Sequence, residues 1–167
     1  RVRNYLDRIA GFAHLPRQRI LVSGSTGLIG LQLCAFLSAA GHSITRLVRP
    51  SSKLPADANG DDVVEWNDQT GELISGDLNG FDTVIHLAGA GIGDKRWSAK
   101  RKTLIRESRT VPTRNLTTLL AGLDKPPSTF LCGSAIGFYG NRGEEALHES
   151  SAPGVNYLAE ICQAWEA

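Results

Sequence analysis

Three glycines at three-residue spacing, Gly24, Gly27 and Gly30, separate an apolar run from a helical pattern, and what they offer chemically is bare backbone. Ile20-Leu21-Val22 runs to Gly24. Leu28, Ile29, Leu31, Leu33, Phe36 and Leu37 then recur with helical spacing until Gly41-His42 stops them. A strand, a glycine turn and a helix start present unpaired N–H groups and the positive end of a helix dipole, an arrangement that receives a pyrophosphate. Each glycine has its own task. Gly24 turns the chain off the strand end, Gly27 lets backbone approach the phosphates, and Gly30 lets the helix pack closely on the sheet. The spacing is Gly-x-x-Gly-x-x-Gly rather than the Gly-x-Gly-x-x-Gly of the commonest dehydrogenase fingerprint. The alternative reading is a tight turn kept for packing. The candidate phosphate contacts are Gly24, Thr26, Gly27, Leu28, Ile29 and Gly30.

A second group of chemically capable residues follows the next apolar run. In a nucleotide-binding βαβ unit the end of the second strand meets the adenosine ribose. An acidic residue there takes the 2′-hydroxyl of NAD, and basic residues accommodate the 2′-phosphate of NADP. The sequence here is Leu47-Val48-Arg49-Pro50-Ser51-Ser52-Lys53, with no carboxylate until Asp57. Arg49 can grip a phosphate with two donors, Ser51 and Ser52 can donate hydroxyls, and Lys53 adds a point charge. NADP(H) is therefore expected in preference to NAD(H); the alternative is an ordinary solvated basic loop. Further on, Leu87, Ala88, Gly89 and Ala90 end a buried apolar run with small residues, which let backbone pass close to a cofactor's ribose or nicotinamide. His86, in mid-strand, reads as a satisfied core histidine rather than a catalyst.

The elements that must position these residues read as an alternation of strand and helix. Expected strands are Ile20–Gly24, Ser43–Val48, Val63–Trp66, Thr83–Leu87 and Thr129–Gly133, with helices over Leu28–Ala40 and from about Ser98 to Leu120. Residues 49–61 read as a loop. The polar stretch Asn67–Gly80 contains Gly71-Glu72-Leu73-Ile74, which suits either a local strand pair or a short helix. Such alternation specifies an α/β fold, a doubly wound parallel sheet with right-handed crossovers and helices on both faces. In that architecture ligands lie at the carboxyl ends of the strands, near the point where strand order reverses.

Size and composition fit this reading. The 167 residues are 41% hydrophobic and 21% charged, which suits one globular domain with a real core. A net charge of +1 gives no bulk attraction to nucleic acid or to membrane, and no apolar run approaches a membrane span. Cys34, Cys132 and Cys162 lie far apart, without metal-ligand or redox spacing. Cys34 and Cys132 read as inert core thiols, and a reducing cytosol is expected. Residues 1–18 carry several arginines and no strand signal, and read as a connector from an upstream domain in the same polypeptide. Residues 19–167 read as the nucleotide-binding domain of a longer protein, since the sequence closes at Trp165-Glu166-Ala167 within a helical pattern.

Several segments together resemble a known family. Gly24-x-x-Gly27-x-x-Gly30 with His86-Leu87-Ala88-Gly89 is similar to the extended short-chain dehydrogenase/reductase superfamily. Lys95-Arg96-Trp97, Ser108-Arg109, Thr113, Gly133-Ser134-Ala135-Ile136-Gly137-Phe138-Tyr139-Gly140 and Leu158-Ala159-Glu160-Ile161-Cys162 narrow the likeness to its atypical, nucleoside-diphosphate-sugar-epimerase-like branch, the "SulA family". The resemblance runs from about Arg19 to Ala167. It implies a Rossmann fold, a nicotinamide dinucleotide and a small-molecule substrate held largely by a C-terminal lobe beyond this sequence.

The resemblance also implies a catalytic set. Superfamily members use a serine that polarises the substrate oxygen and a tyrosine that exchanges the proton. A lysine four residues on lowers the tyrosine's pKa, because an unassisted phenol near ~10 is too weak an acid to serve at neutral pH. Ser134 matches the serine, with Ala135 as the alternative register, and Tyr157 matches the tyrosine. The lysine position holds Ile161, and the superfamily's structural asparagine in the long helix is matched by Arg109. Two readings stay open: an oxidoreductase or epimerase with Ser134 and Tyr157 at work, or a cofactor-binding sensor with little turnover. Arg96 and Trp97 are candidates to meet an anion and a ring, with Trp97 as a core anchor the alternative. Arg106 and Arg109 read as partners in surface pairs with Glu107.

Overall fold

The computed structural model describes residues 16–54 and 61–167. The connector expected at residues 1–18 lies mostly outside the described residues; 16–18 are irregular. Strands β1 (Arg19–Ser23), β2 (Ser43–Val48), β3 (Asp62–Trp66), β4 (Leu73–Ser75), β5 (Thr83–His86) and β6 (Thr129–Cys132) form one sheet ordered β4-β3-β2-β1-β5-β6. Helices α1 (Leu28–Ala39), α2 (Ala99–Ala121) and α3 (Tyr157–Glu166) and a 3-10 turn at Ile136–Tyr139 complete the described elements. Every pairing is parallel except β3 with β4, so the short pair near Leu73-Ile74 forms and the helix does not. The chain steps outward from β1 to β2 and β3, then returns to lay β5 on the other side of β1. Strand order reverses between β1 and β5.

The apolar runs are continuous because both sheet faces are covered, while the two-residue period of a strand sorts side chains between them. Ile20 and Val22 of β1 join Ile44, Ile85 and Cys34 of α1 in one cluster. Leu21 points the other way, into a larger cluster with Leu47, Val64, Trp66, Val84 and, from α2, Leu116 and Leu120. β6 differs. As the last strand of the sheet among the described residues it leaves Leu131 and Cys132 exposed, so Cys132 is not the core thiol expected from its apolar neighbours. Cys34 and Cys162 are buried.

His86 sits at the end of β5 with no exposed surface, stacked on Phe130 at 6.4 Å between ring centroids. Its Nδ1 is 2.5 Å from Ser23 Oγ on β1, while Nε2 has no hydrogen-bond partner among the described residues. It is therefore a core histidine, but only half satisfied. Burial penalises the imidazolium and lowers its pKa from 6.5 to about 4. Between those values the unfolded chain holds a proton that the folded chain refuses, so stability rises with pH across the window. Full stability is expected above pH 6.5, with a loss of about 3 kcal/mol on descending to pH 4. Urea midpoints across that range measure it, and His86→Asn should flatten the slope.

Candidate functional site

The carboxyl ends of β1, β2, β3 and β5 open onto a cleft of about 350 Å³. Its floor is the turn from β1 into α1. Gly24 has φ +69°, and a Cβ there would lie 2.6 Å from the Leu87 carbonyl carbon and 2.7 Å from the Ala88 nitrogen. Gly30 packs its Cα against the Gly24 carbonyl, where a Cβ would stand 2.2 Å away. Both glycines are required by protein contacts alone. Gly27 is different: its backbone is extended (φ −79°, ψ 171°), it is exposed, and a Cβ would meet only the Gly24 oxygen, at 3.3 Å. It faces the cleft, so what a Cβ would obstruct at Gly27 is a ligand.

The N-terminus of α1 carries no side-chain cap. The caps of α2 and α3 are Ser98, which accepts from the Arg101 N–H, and Asn156, which accepts from the Ala159 N–H. The first amides of α1, Leu28 to Gly30, accordingly have no side-chain acceptor and lie at the positive end of the helix. Ser25, whose buried hydroxyl has no hydrogen-bond partner among the described residues, also lines the cleft. An uncapped helix start, an exposed glycine facing the cleft and a buried hydroxyl fit an anionic diphosphate. The turn is held from below by Arg46, a buried β2 side chain that donates from Nη1 to the Ser25 carbonyl (3.0 Å) and from Nε to Asp61 (2.7 Å).

The remaining candidates divide. Gly24, Thr26, Gly27, Arg49, Leu87, Ala88, Gly89 and Ala90 line the cleft. The Leu28 and Ile29 side chains do not; they are 86% and 67% exposed, and those residues can contribute only main chain. Ser51 and Lys53 are exposed and do not line it, whereas Ser52 does, because the Ser52 N–H bonds back to the Arg49 carbonyl and curls the loop inward. Arg49, with its side chain 63% exposed, lies 3.9 Å from Asp68, which also lines the cleft. Asp68, Trp66, Leu104 and Ser108 line the cleft without having been named as cofactor contacts from the sequence. Asp68 had a detectable signal in its position just past β3.

Neither Ser134 nor Tyr157 lines the cleft. Ser134 is exposed and donates to Glu166 at the end of α3. The Tyr157 hydroxyl donates to the Lys102 carbonyl (2.5 Å), and Trp97 meets its ring edge-on at 6.1 Å. A lysine does stand beside this tyrosine, but it comes from α2. Lys102 Nζ lies over the ring, 5.2 Å from its centroid. Burial raises the phenol's pKa above its ordinary value, Arg106 opposes this and Glu160 adds to it, so the hydroxyl stays protonated at neutral pH. Ile161 is buried and takes no part. Trp97 is a partly exposed loop tie whose Nε1 donates to the Ile92 carbonyl (2.7 Å). Arg109 is no surface ion-pair partner: half-buried, it donates to main-chain carbonyls and stacks on Trp165.

A doubly wound parallel sheet with a glycine-turned, uncapped helix start at its switch point is a dinucleotide-binding Rossmann domain. The model of the NAD dependent epimerase/dehydratase family matches residues 20–160, and the chain belongs to that family. An epimerase family protein of Mycobacterium leprae is 35% identical over 147 residues, covering 88% of this chain and 45% of the relative. A nucleoside-diphosphate sugar epimerase structure from Corynebacterium glutamicum superposes with TM-score 0.74 at 35% identity, covering 98% of this chain and 32% of that one. The human epimerase family protein SDR39U1, solved with NADPH, gives TM-score 0.73 at 26% identity over 89% of this chain and 47% of its own. The chain thus spans under half the length of these proteins.

The glycines make separable predictions. Gly24→Ala forces a side chain into positive φ and against β5 backbone, and should cost about 1–3 kcal/mol in urea unfolding. Gly27→Val should leave the unfolding midpoint nearly unchanged and remove nicotinamide nucleotide binding measured by calorimetry.

Proposed function

We propose that this chain is the NADP(H)-binding part of an epimerase- or reductase-like protein acting on a small molecule. The observation that carries the reading is the uncapped start of α1, facing the cleft beside Gly27 at the β1–β5 switch. The amides of Leu28 to Gly30 would hold the pyrophosphate. Arg49 and Ser52 would meet the 2′-phosphate, and Leu87 to Ala90 would support the other half of the dinucleotide. When bound, the cofactor supplies hydride transfer. The NADPH in the human relative's structure supports the phosphorylated form, and the Corynebacterium relative's name suggests a nucleoside-diphosphate sugar as substrate. Three free cysteines favour a reducing, cytosolic setting.

A second reading, a cofactor-binding regulatory module with little turnover, is favoured by one specific observation. The Tyr157 hydroxyl is committed to the Lys102 carbonyl, with buried Ile161 where the pKa-lowering lysine would stand. For Ser134 and Tyr157 to act on a substrate, both hydroxyls must leave their present partners.

NADPH should bind more tightly than NADH in titration calorimetry, and Arg49→Ala should shrink the gap by removing one charge-assisted contact, about tenfold in affinity. Equal affinities in the parent chain would remove the phosphate assignment. In a reductase assay on the full-length polypeptide, Ser134→Ala and Tyr157→Phe should each lower turnover if the enzymatic reading holds; unchanged turnover, or none to begin with, favours the regulatory one.

A further inference from the structure

The loop after β5 is gripped at one residue from two directions. The Ser108 hydroxyl accepts from the Ala90 N–H (3.0 Å) and itself donates to the Ile105 carbonyl (3.1 Å). Arg109, the next residue of α2, donates from Nη1 to the Ala90 carbonyl (3.0 Å) and to Ile105 (3.0 Å). Both main-chain groups of Ala90 are thus fixed by side chains of a single helix turn. The guanidinium also lies directly under the neighbouring residue: a Cβ on Gly89 would stand 3.2 Å from Arg109 Cζ.

The grip continues away from the cleft. Arg109 Cζ sits 5.2 Å from the Trp165 ring centroid, and Trp165 Nε1 donates to Thr113 Oγ1 (3.0 Å), which donates to the Arg109 carbonyl (2.6 Å). The outer edge of the same indole lies against Gly133, at the end of β6. One partly buried cation therefore joins the loops after β5 and β6 through α2 and α3.

A dinucleotide laid across the switch point puts its adenosine ribose at the end of β2 and its other nucleotide on the β5 side. Ala88, Gly89 and Ala90 line the cleft on that second side, with Leu104 and Ser108 of α2. Resting on the nicotinamide-nucleotide reading above, we infer that Ser108 and Arg109 are positioning residues that set the main chain of Gly89 and Ala90 against the nicotinamide half of the cofactor. They act through Ala90. The adenosine half would fall instead on the lining residues at the ends of β2 and β3, Val48, Arg49, Ser52, Trp66 and Asp68.

The test compares two ligands by titration calorimetry on the complete chain. NADPH reports both halves of the site, and adenosine 2′,5′-bisphosphate reports the adenosine half alone. Arg109→Met keeps the stem and loses both donors. It should weaken NADPH by about tenfold, the worth of a charged hydrogen bond, and leave the bisphosphate within about twofold. Arg109→Lys, still a cation with one donor near Ala90, should recover part of the loss. Ser108→Ala, which frees the Ala90 N–H without disturbing the stacked layer, should shift NADPH in the same selective way; it decides the matter if Arg109→Met loses its cooperative melting transition. Parallel weakening of both ligands, or unchanged NADPH affinity in Arg109→Met and Ser108→Ala, overturns the inference. A parent chain that binds neither ligand removes the cofactor reading and the inference with it, an outcome visible before any variant is made.

Discussion

The structure depends on the contact of two bare backbones at the switch point. Gly24, at the head of β1, lies so close to Leu87 and Ala88, at the head of β5, that no side chain fits between them. Two parallel strands can be adjacent all the way to their ends only if the turns that follow can also pass each other. Here one turn does so by taking φ +69°. That approach fixes where α1 starts, and Gly30 then seats the helix on the same turn. The uncapped amides of α1 and the small residues of the β5 loop come to share one cleft as a consequence.

The two sides of that cleft are built on different physics. On the β2–β3 side the lining includes, among the described residues, its only charged ones, Arg49 and Asp68, 3.9 Å apart and of opposite sign. The carboxylate already lies within reach of the guanidinium. On the β5 side the lining is neutral and much of it is main chain, so position rather than charge must do the recognising. Main chain in a loop holds position only when its own polar groups are tied down, and at Ala90 both are.

The hydroxyls that match the superfamily's serine and tyrosine both have protein partners in this structure. Tyr157 and Ser134 occupy the expected segments, but one hydroxyl serves the α2 backbone and the other serves Glu166. Lys102 brings an ammonium to the tyrosine, over the ring face rather than beside the oxygen. An ammonium placed there interacts with the π-cloud, and the phenol's pKa rises because burial, with Glu160, outweighs the opposing charge of Arg106. The switch-point cleft is assembled within this chain, which spans under half of the relatives' length.

The sequence by itself determined the strand–helix alternation and the close backbone packing at Gly24 and Gly30, because these follow from local periodicity and from the steric permissiveness of glycine. The place where strand order reverses came from the topology. The sequence also singled out Arg49 and the Leu87–Ala90 loop, which lie at strand ends where topology alone puts ligands. Only the tertiary structure decided the rest. Ser52 rather than Ser51 or Lys53 faces the cleft because of a turn hydrogen bond to Arg49. Cys132 is exposed because β6 is the last strand of the sheet among the described residues. Arg109 left the surface because Trp165 and the Ala90 carbonyl, both remote in sequence, meet on one face of α2. Such contacts depend on which helix turn lies against which loop, and spacing along a chain carries no record of that.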